Sequence, residues 1–368
     1  MKIVIIQGAF FPVPPLKGGA VEKRWFQLSK EFAKHGHDVI HLSKEYKNLP
    51  HKETIKGVSF LRKSGFNFHA NKIISNFYDF LYSYKITRLV PDDADVIVTN
   101  SFWSPVLLKK ALKGKTIVDV ARMPKGQMKF YKGIRFYRAN STPVAEAIKN
   151  EVSEVKHHMV KTIPNPLTFK TNKIENTIDK EKLILYTGRI HPEKGIHLLI
   201  QSFNEITTKD WNLVLIGSYK VSEGGGGEKY LMKLKSMVSK NNVEILNPIY
   251  DINKLNEYYQ RSSIFVYPSL AEKGETFGLS PLEAMAWGSV PIVSDLTCFK
   301  DFIKNGSNGL IFNHRAKDRI ELLSKMMLKL ILDNEKRNKM SQKAIKVRDS
   351  HSIENIGAQF LNMFALDS

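Results

Sequence analysis

This chain of 368 residues contains one cysteine, Cys298, which excludes a disulfide framework and fits a reducing compartment. Long apolar runs are missing as well, and none approaches the roughly 20 residues a helix needs to cross a bilayer. The opening run Ile3 to Ile6 is too short for the apolar core of a signal peptide and is soon broken by Pro12, Pro14 and Pro15. It reads instead as a first buried parallel strand. No His/Cys/Asp cluster has the spacing of zinc ligands. No repeat or low-complexity tract stands out beyond Gly224 to Gly227, which reads as a flexible loop. Carboxylates are scarce beside cations, 36 against 56, for a net charge of +20. The shortage is uneven. Residues 1–170 hold 29 Lys and Arg against 13 Asp and Glu, hence +16, whereas residues 171–368 hold 27 against 23, hence +4. Such asymmetry describes a partner surface rather than a fold.

What is present alternates between apolar strands and amphipathic helices, the pattern of an α/β chain with parallel sheets, and the length suffices for two domains with separate cores. Strands are expected at 39–42, 96–99 and 116–120, then at 183–187, 213–217, 243–246, 264–268 and 290–294. A first helix is expected over 20–35, with Val21, Trp25, Leu28 and Phe32 on one face and Gly36 as its stop. Further helices are expected at 195–206, 228–239, 255–261 and 319–332, and the polar stretch 167–182 reads as a linker. Residues 72–85 show helical spacing at Ile73, Phe77, Phe80, Leu81 and Tyr84, a stripe assigned to the core, with Phe66, Phe68 and Tyr82 left over. The run 125–138 interleaves bases with aromatics, which suits a lipid headgroup interface, an anionic acceptor or a nucleic acid.

Two segments carry chemistry. In 274–286 two carboxylates, Glu275 and Glu283, stand eight positions apart around a glycine turn and a helix start. Ser280 is placed to cap that helix, with Pro281 at its first position, and the amides of Phe277 to Leu282 would then form an anion-binding helix start. The same residues also spell a capping box, Ser280-x-x-Glu283, which would account for Glu283 without any ligand. Upstream, the apolar strand at 183–187 runs into Gly188-Arg189, and a short loop delivers Lys194-Gly195 before an apolar helix. Arg189 and Lys194 are thereby set at the carboxyl end of a strand, where open α/β sheets bind ligands, and a rigid fork beside a point charge suits a departing diphosphate. Two solvated surface cations would look the same.

Together these segments resemble the group 1 (family 4) retaining glycosyltransferases of the GT-B architecture. The order of features extends the likeness over the whole chain: Gly18-Gly19, then Gly36-His37-Asp38-Val39, Ser141, Ile163-Pro164-Asn165, Gly188-Arg189 with Lys194-Gly195, and Glu275 with Glu283. The resemblance implies two Rossmann-like doubly wound parallel-sheet domains facing a central cleft. An acceptor-binding domain would span 1–166 plus about 350–368, and a nucleotide-sugar donor-binding domain 167–349. It implies catalytic roles for Arg189, Lys194 and Glu275, and donor contacts for Gly18, Gly19, Gly188, Thr276, Phe277, Gly278, Leu279 and Glu283. Glu275 would meet donor-sugar hydroxyls and Glu283 the ribose. No metal or other cofactor is expected, because two cations and a helix start already offset the diphosphate.

Two departures matter. Many relatives place a histidine after the strand at 116–120, where this chain reads Asp119-Val120-Ala121-Arg122; Asp119 or Arg122 would then contact donor sugar or acceptor. Asn165-Pro166 replaces the common Asn-Gly. The expected substrates are a nucleotide sugar, with UDP the common carrier in the family, and a glycan or lipid-linked acceptor in cell-surface polysaccharide or lipopolysaccharide biosynthesis. The basic first half points to peripheral attachment to an anionic membrane from the cytoplasm. A nucleotide-sugar 2-epimerase of the same architecture, a basic nucleic-acid-binding protein and a non-catalytic sugar-binding scaffold remain alternatives, although nucleic acid would leave Glu275 and Glu283 unexplained.

Overall fold

Runs of Val, Ile and Leu at the expected positions form strands buried on both faces, which is the habit of parallel sheets covered by helices. The computed structural model describes residues 1–16, 19–67, 69, 71–170, 180–208 and 210–366. Among these, the chain divides into two units, Met1–Thr168 with His351–Ser368, and Phe169–Ser350.

The first unit is built on strands β1 (Lys2–Ile6), β2 (Asp38–Lys44), β3 (Lys52–Ile55), β4 (Val58–Lys63), β5 (Val96–Thr99), β6 (Thr116–Val120), β7 (Phe136–Ala139) and β8 (Val160–Thr162). Their order is β3-β4-β2-β1-β5-β6-β7-β8, parallel throughout except for the β3–β4 hairpin at the edge. Helix α1 (Ala20–Lys34) buries Trp25, Leu28 and Phe32, and the helix Ile353–Ala365 packs on it through Trp25–Phe360 and Phe32–Phe364 edge contacts at 5.1 and 5.5 Å. The second unit holds β9 (Glu181–Thr187), β10 (Asn212–Ile216), β11 (Val243–Leu246), β12 (Ser262–Tyr267), β13 (Val290–Ser294) and β14 (Leu310–Phe312) in the parallel order β11-β10-β9-β12-β13-β14. The doubly wound α/β expectation therefore holds for both sheets. No described helix is long and apolar enough to cross a membrane.

Three local expectations need correction. The stretch 167–182 is not wholly linker, since β9 already starts at Glu181 and Lys180 Nζ donates to the carbonyls of Tyr259, Gln260 and Trp287; residues 171–179 lie outside the described residues. The glycine run is a hydrogen-bonded turn rather than a loose loop. The amides of Gly225, Gly226 and Gly227 donate to the carbonyls of Lys220, Ile190 and Tyr219 at 2.7–2.9 Å, and a Cβ on Gly225 would lie 2.2 Å from the Tyr219 carbonyl carbon.

The third concerns helix α2 (Lys72–Ile86), three of whose five stripe residues face solvent instead of the core: Ile73 is 79 %, Phe77 56 % and Tyr84 44 % exposed, while Phe80 and Leu81 are half-buried. Its buried face consists of Ser75, Asp79, Tyr82, Ser83 and Ile86. Hydrogen bonds fix that rotation. Ser75 Oγ donates to the His69 carbonyl at 2.7 Å, Ser83 Oγ pairs with Ser101 Oγ at 2.9 Å, and Asp79 accepts the amides of Phe102 and Trp103. Rolling the stripe inward would strand these groups, and each would cost about 1–3 kcal/mol unpaired. Of the three leftover aromatics, Tyr82 is fully buried and Phe66 stacks on Tyr78 at 4.5 Å, while Phe68 lies outside the described residues.

Candidate functional site

In the second unit the relevant side chains gather at the carboxyl ends of β9, β10 and β12. Beyond β9 the chain turns through Gly188, whose carbonyl oxygen would lie 1.7 Å from a Cβ on Gly217, so backbone meets backbone there. Tyr186 donates its hydroxyl to the Arg189 carbonyl at 3.0 Å. The Arg189 guanidinium, about half exposed, points to Glu193 Oε1 at 2.9 Å and to the Gly224 carbonyl of the glycine turn at 2.7 Å.

Lys194 follows a different course. The 3₁₀ turn Pro192–Lys194 opens with the Glu193 amide donating to His191 Nδ1 at 3.3 Å, and it closes with Gly195 at φ +67°. A Cβ on Gly195 would fall 2.0 Å from the Pro268 carbonyl oxygen, which presses this turn against the end of β12. Lys194 Nζ donates to Glu275 Oε2 at 2.7 Å, with about nine-tenths of each side chain buried. The Tyr267 hydroxyl bonds the same carboxylate; burial, and then the charge of Glu275, raises that phenol well above its ordinary range. Lys194 is thus brought to the 275–279 turn, whereas Arg189 engages Glu193 and the glycine turn.

The helix Leu279–Ala286 begins two residues earlier than expected. Its N-cap is Gly278 at φ +90°, with no side-chain cap, so Ser280 and Pro281 are its second and third residues and Glu283 its fifth. Glu283 is therefore not the third residue of a capping box. A Cβ on Gly278 would lie 2.4 Å from the Phe299 ring, and Phe277 is buried against Phe302 at 5.3 Å between ring centres. With these two positions holding the turn, the helix opens on a glycine that has no side chain to cap it, the arrangement that favours an anion. Glu283 is buried and accepts the Tyr259 hydroxyl at 3.1 Å, which in turn pairs with Thr187 Oγ1 at 2.6 Å. Burial and the neighbouring Glu283 raise the Tyr259 phenol far above its usual range. Thr187, Tyr259 and Tyr267 were not singled out by sequence; the available signal was Tyr267 closing the apolar run 264–266 and Tyr259 in the helix before it.

In the first unit Gly19, at φ +93°, is the N-cap of α1, and a Cβ there would lie 2.2 Å from Glu22 Oε2. Gly18 lies outside the described residues. Asp119 was expected to contact a ligand; it lines the cavity described below, and its carboxylate is held by three donors of its own unit. It has no exposed side-chain surface and accepts Arg24 Nη2, Trp25 Nε1 at 2.8 Å and Arg138 Nη1 at 2.8 Å. Burial pushes the Asp119 carboxyl up, but Arg24, Arg138 and the indole outweigh it and leave it below the usual range. Both arginines also donate to Asn165 Oδ1, which ties α1, β6 and β7 to the segment after β8 and occupies the Asn-Pro departure structurally. Arg122 remains exposed at the rim of a cavity of about 430 Å³, where Glu22, Asn76, Asp79, Asn100 and Phe10 also line the wall. Burial raises the carboxyls of Glu22 and Asp79, the latter to about 6. Carboxylates, amides and aromatic rings in one cavity form the lining that a polyol with hydroxyls and an apolar ring face requires.

Residues 168–347 match the family of glycosyl transferases group 1. The chain is 23% identical to YtcC of Bacillus subtilis (strain 168), whose name assigns it to the glycosyltransferases, over 94% of this chain and 87% of that protein. It is 32% identical to the O-antigen chain mannosyltransferase RfbU of Salmonella typhimurium (strain LT2), over 35% of this chain and about one third (34%) of that protein. Among solved structures, Anabaena Alr3699/HepE in complex with UDP and glucose superposes with a TM-score of 0.72 at 16% identity, covering 99% of both chains.

Proposed function

Because residues 168–347 match group 1 and both sheets follow the GT-B fold, this chain belongs to the group 1 glycosyltransferases, and we propose that it transfers a sugar with retention from a nucleotide sugar to a glycan or lipid-linked acceptor of a cell-surface polysaccharide. The observation that carries the proposal is the glycine-led helix start at Leu279 bounded by two buried carboxylates, Glu275 on Lys194 and Glu283 on Tyr259.

In this reading the unit Phe169–Ser350 binds the donor. The diphosphate sits at the amides of Phe277, Gly278 and Leu279 with Lys194 and Arg189 beside it. Glu283 takes the ribose hydroxyls, and Glu275 with Thr276 takes the sugar. Gly188 and Gly278 shape the loops around this seat, since a Cβ would meet the Tyr186 hydroxyl at the first and the Phe299 ring at the second. As the bond from the anomeric carbon to the phosphate oxygen breaks, negative charge grows on the leaving group, where fixed cations and dipoles act without reorganising. The acceptor hydroxyl forms the new bond on the same face and gives its proton to that leaving oxygen. Lys194 is fitted to this task because Glu275 and Tyr267 hold its ammonium in place before the donor arrives. The protein's own cations thus carry the leaving-group charge, and the reading requires no metal. UDP as carrier is supported by HepE, which was solved with UDP and glucose.

The acceptor belongs to the first unit, which contains all but two of residues 1–170, and the +16 charge of that stretch suits an anionic leaflet. Each basic residue near such a surface contributes about 1 kcal/mol, so a handful suffices for peripheral attachment on the cytoplasmic side. Thermal stabilisation and UDP release across a panel of nucleotide sugars test the donor, and anomeric proton couplings of the product test retention. Stabilisation by one donor with a retained linkage is the expected result. An epimerised donor formed without acceptor identifies the 2-epimerase instead. Absence of any stabilisation, with tight salt-sensitive nucleic-acid binding in its place, overturns the proposal.

A further inference from the structure

Helix α2 has one face too many for a helix packed only on its own domain. Its polar side is buried and hydrogen-bonded, and its outward side presents Ile73, Phe77 and Tyr84 at helical spacing. The apolar surface continues by direct ring contact: Phe80 meets Trp103 at 5.3 Å, and Trp103 meets Phe102 at 5.0 Å. Trp103 stays polar at one edge, donating Nε1 to Asn76 Oδ1 at 3.1 Å.

Charge selects the occupant. The single acidic residue of α2, Asp79, is buried, so the charges exposed along this helix are Lys72 and Lys85, followed by Arg88 stacked over the Tyr84 ring at 3.6 Å. A second copy docking here by two-fold symmetry would align these cations with one another. An anionic bilayer surface instead pairs them with headgroups while the apolar side chains enter the acyl boundary, and the indole belongs at that depth. At 15 residues, or about 22 Å, the helix suits lying along a surface.

We propose that the outer face of α2, centred on Ile73, Phe77 and Tyr84, docks the protein on an anionic membrane. The inner edge of the same helix, through Lys72, Asn76 and Asp79, lines the 430 Å³ cavity of this unit. Docking therefore sets the cavity mouth at headgroup level, where the polar end of a membrane-anchored acceptor lies. The inference rests on the proposed function for its purpose and on the exposed stripe for its evidence.

The test uses the full chain and vesicles of phosphatidylcholine with or without phosphatidylglycerol. Wild type co-sediments with the anionic vesicles and is released by salt, and Ile73→Ser/Phe77→Ser binds them at least about tenfold more weakly. Phe77→Trp keeps binding. Circular dichroism and UDP release from the nucleotide sugar stay at wild-type level in the serine variant, because neither side chain touches the donor unit's site or lines the cavity. Equal vesicle binding by wild type and the serine variant overturns the proposal. So does a wild-type dimer, seen by light scattering, that becomes monomeric in the serine variant. Wild type that binds vesicles through this face yet turns over no nucleotide sugar upholds the docking and overturns the proposed function alone.

Discussion

Replacing Lys194 by methionine removes the cation that faces Glu275 at 2.7 Å. Two unit charges at that separation attract by about 6 kcal/mol at an effective dielectric of 20, and the desolvation of both groups opposes much of it. In Lys194→Met the carboxylate, nine-tenths buried, keeps the Tyr267 hydroxyl but loses its countercharge, a change that costs about 3–5 kcal/mol of stability. Glu275→Gln leaves the ammonium facing a neutral carbonyl and costs about 2–3 kcal/mol. The double variant has no buried charge left to compensate, so urea midpoints should recover and the cycle should give a coupling of about 2 kcal/mol or more. Turnover should not recover. If Lys194 meets the departing diphosphate, UDP release falls at least about a hundredfold in Lys194→Met and stays there in the double variant. A double variant that regains turnover together with stability would show the pair to be structural, and a coupling under about 0.5 kcal/mol would refute the buried-pair argument itself.

Glu283→Ala is expected to lower donor-dependent transfer by about two orders of magnitude with its circular dichroism unchanged; unaltered turnover removes Glu283 from the site. Transfer should survive EDTA within about twofold of the untreated rate, because the leaving-group charge is assigned to Lys194, Arg189 and the helix amides; a loss that added Mg²⁺ restores contradicts that assignment. Stability should fall in mild acid. Burial lowers the pKa of His41 to about 3 and of His351 to about 4, so below pH 6.5 the unfolded chain takes up protons that the native state refuses. Each histidine then removes about 1.4 kcal/mol per pH unit, whereas Asp79, raised to about 6, and Glu22 act in the opposite sense as they protonate. The net at pH 5 is a loss of about 2 kcal/mol relative to pH 7, read from urea midpoints; equal midpoints at the two pH values refute it.

The α/β class and most strands were legible because a strand buried on both faces is largely apolar, and residues 96–99, 116–120 and 290–294 form strands within those very bounds. The edge hairpin of β3 and β4 was not, since Lys52–Ile55 is a short run with little apolar content. In the second unit, the spacing of Glu275 and Glu283 marked the turn and helix correctly but misplaced the cap. Ser280 carries the better capping side chain, yet only Gly278 accepts the left-handed backbone that Phe299 leaves room for. The partners of Asp119 were illegible for a related reason. A carboxylate beside a strand end looks available until Arg24 and Arg138, 95 positions before it and 19 after it, close around it. Pairing over such separations has no local sequence signal.

Helix α2 shows what periodicity can and cannot decide. The spacing of Ile73, Phe77, Phe80, Leu81 and Tyr84 establishes that the helix has an apolar side, and the structure keeps that helix with Asn71 as its cap, accepting the Ile73 amide at 2.9 Å. Which side faces inward is a separate question, settled by where buried polar groups find partners. Ser75, Asp79 and Ser83 find them in His69 and in the loop at 101–104, and burying the opposite face would forfeit those bonds. A domain tolerates the resulting exposed stripe at little cost to its own folding, because the apolar residues are no wetter than in the unfolded chain. Their solvent exposure is instead a cost in solubility, which selection has reason to keep only where something covers the stripe. The absence of any exposed carboxylate on the helix, where residues 1–170 hold 29 cations against 13 carboxylates, narrows that cover to an anionic one.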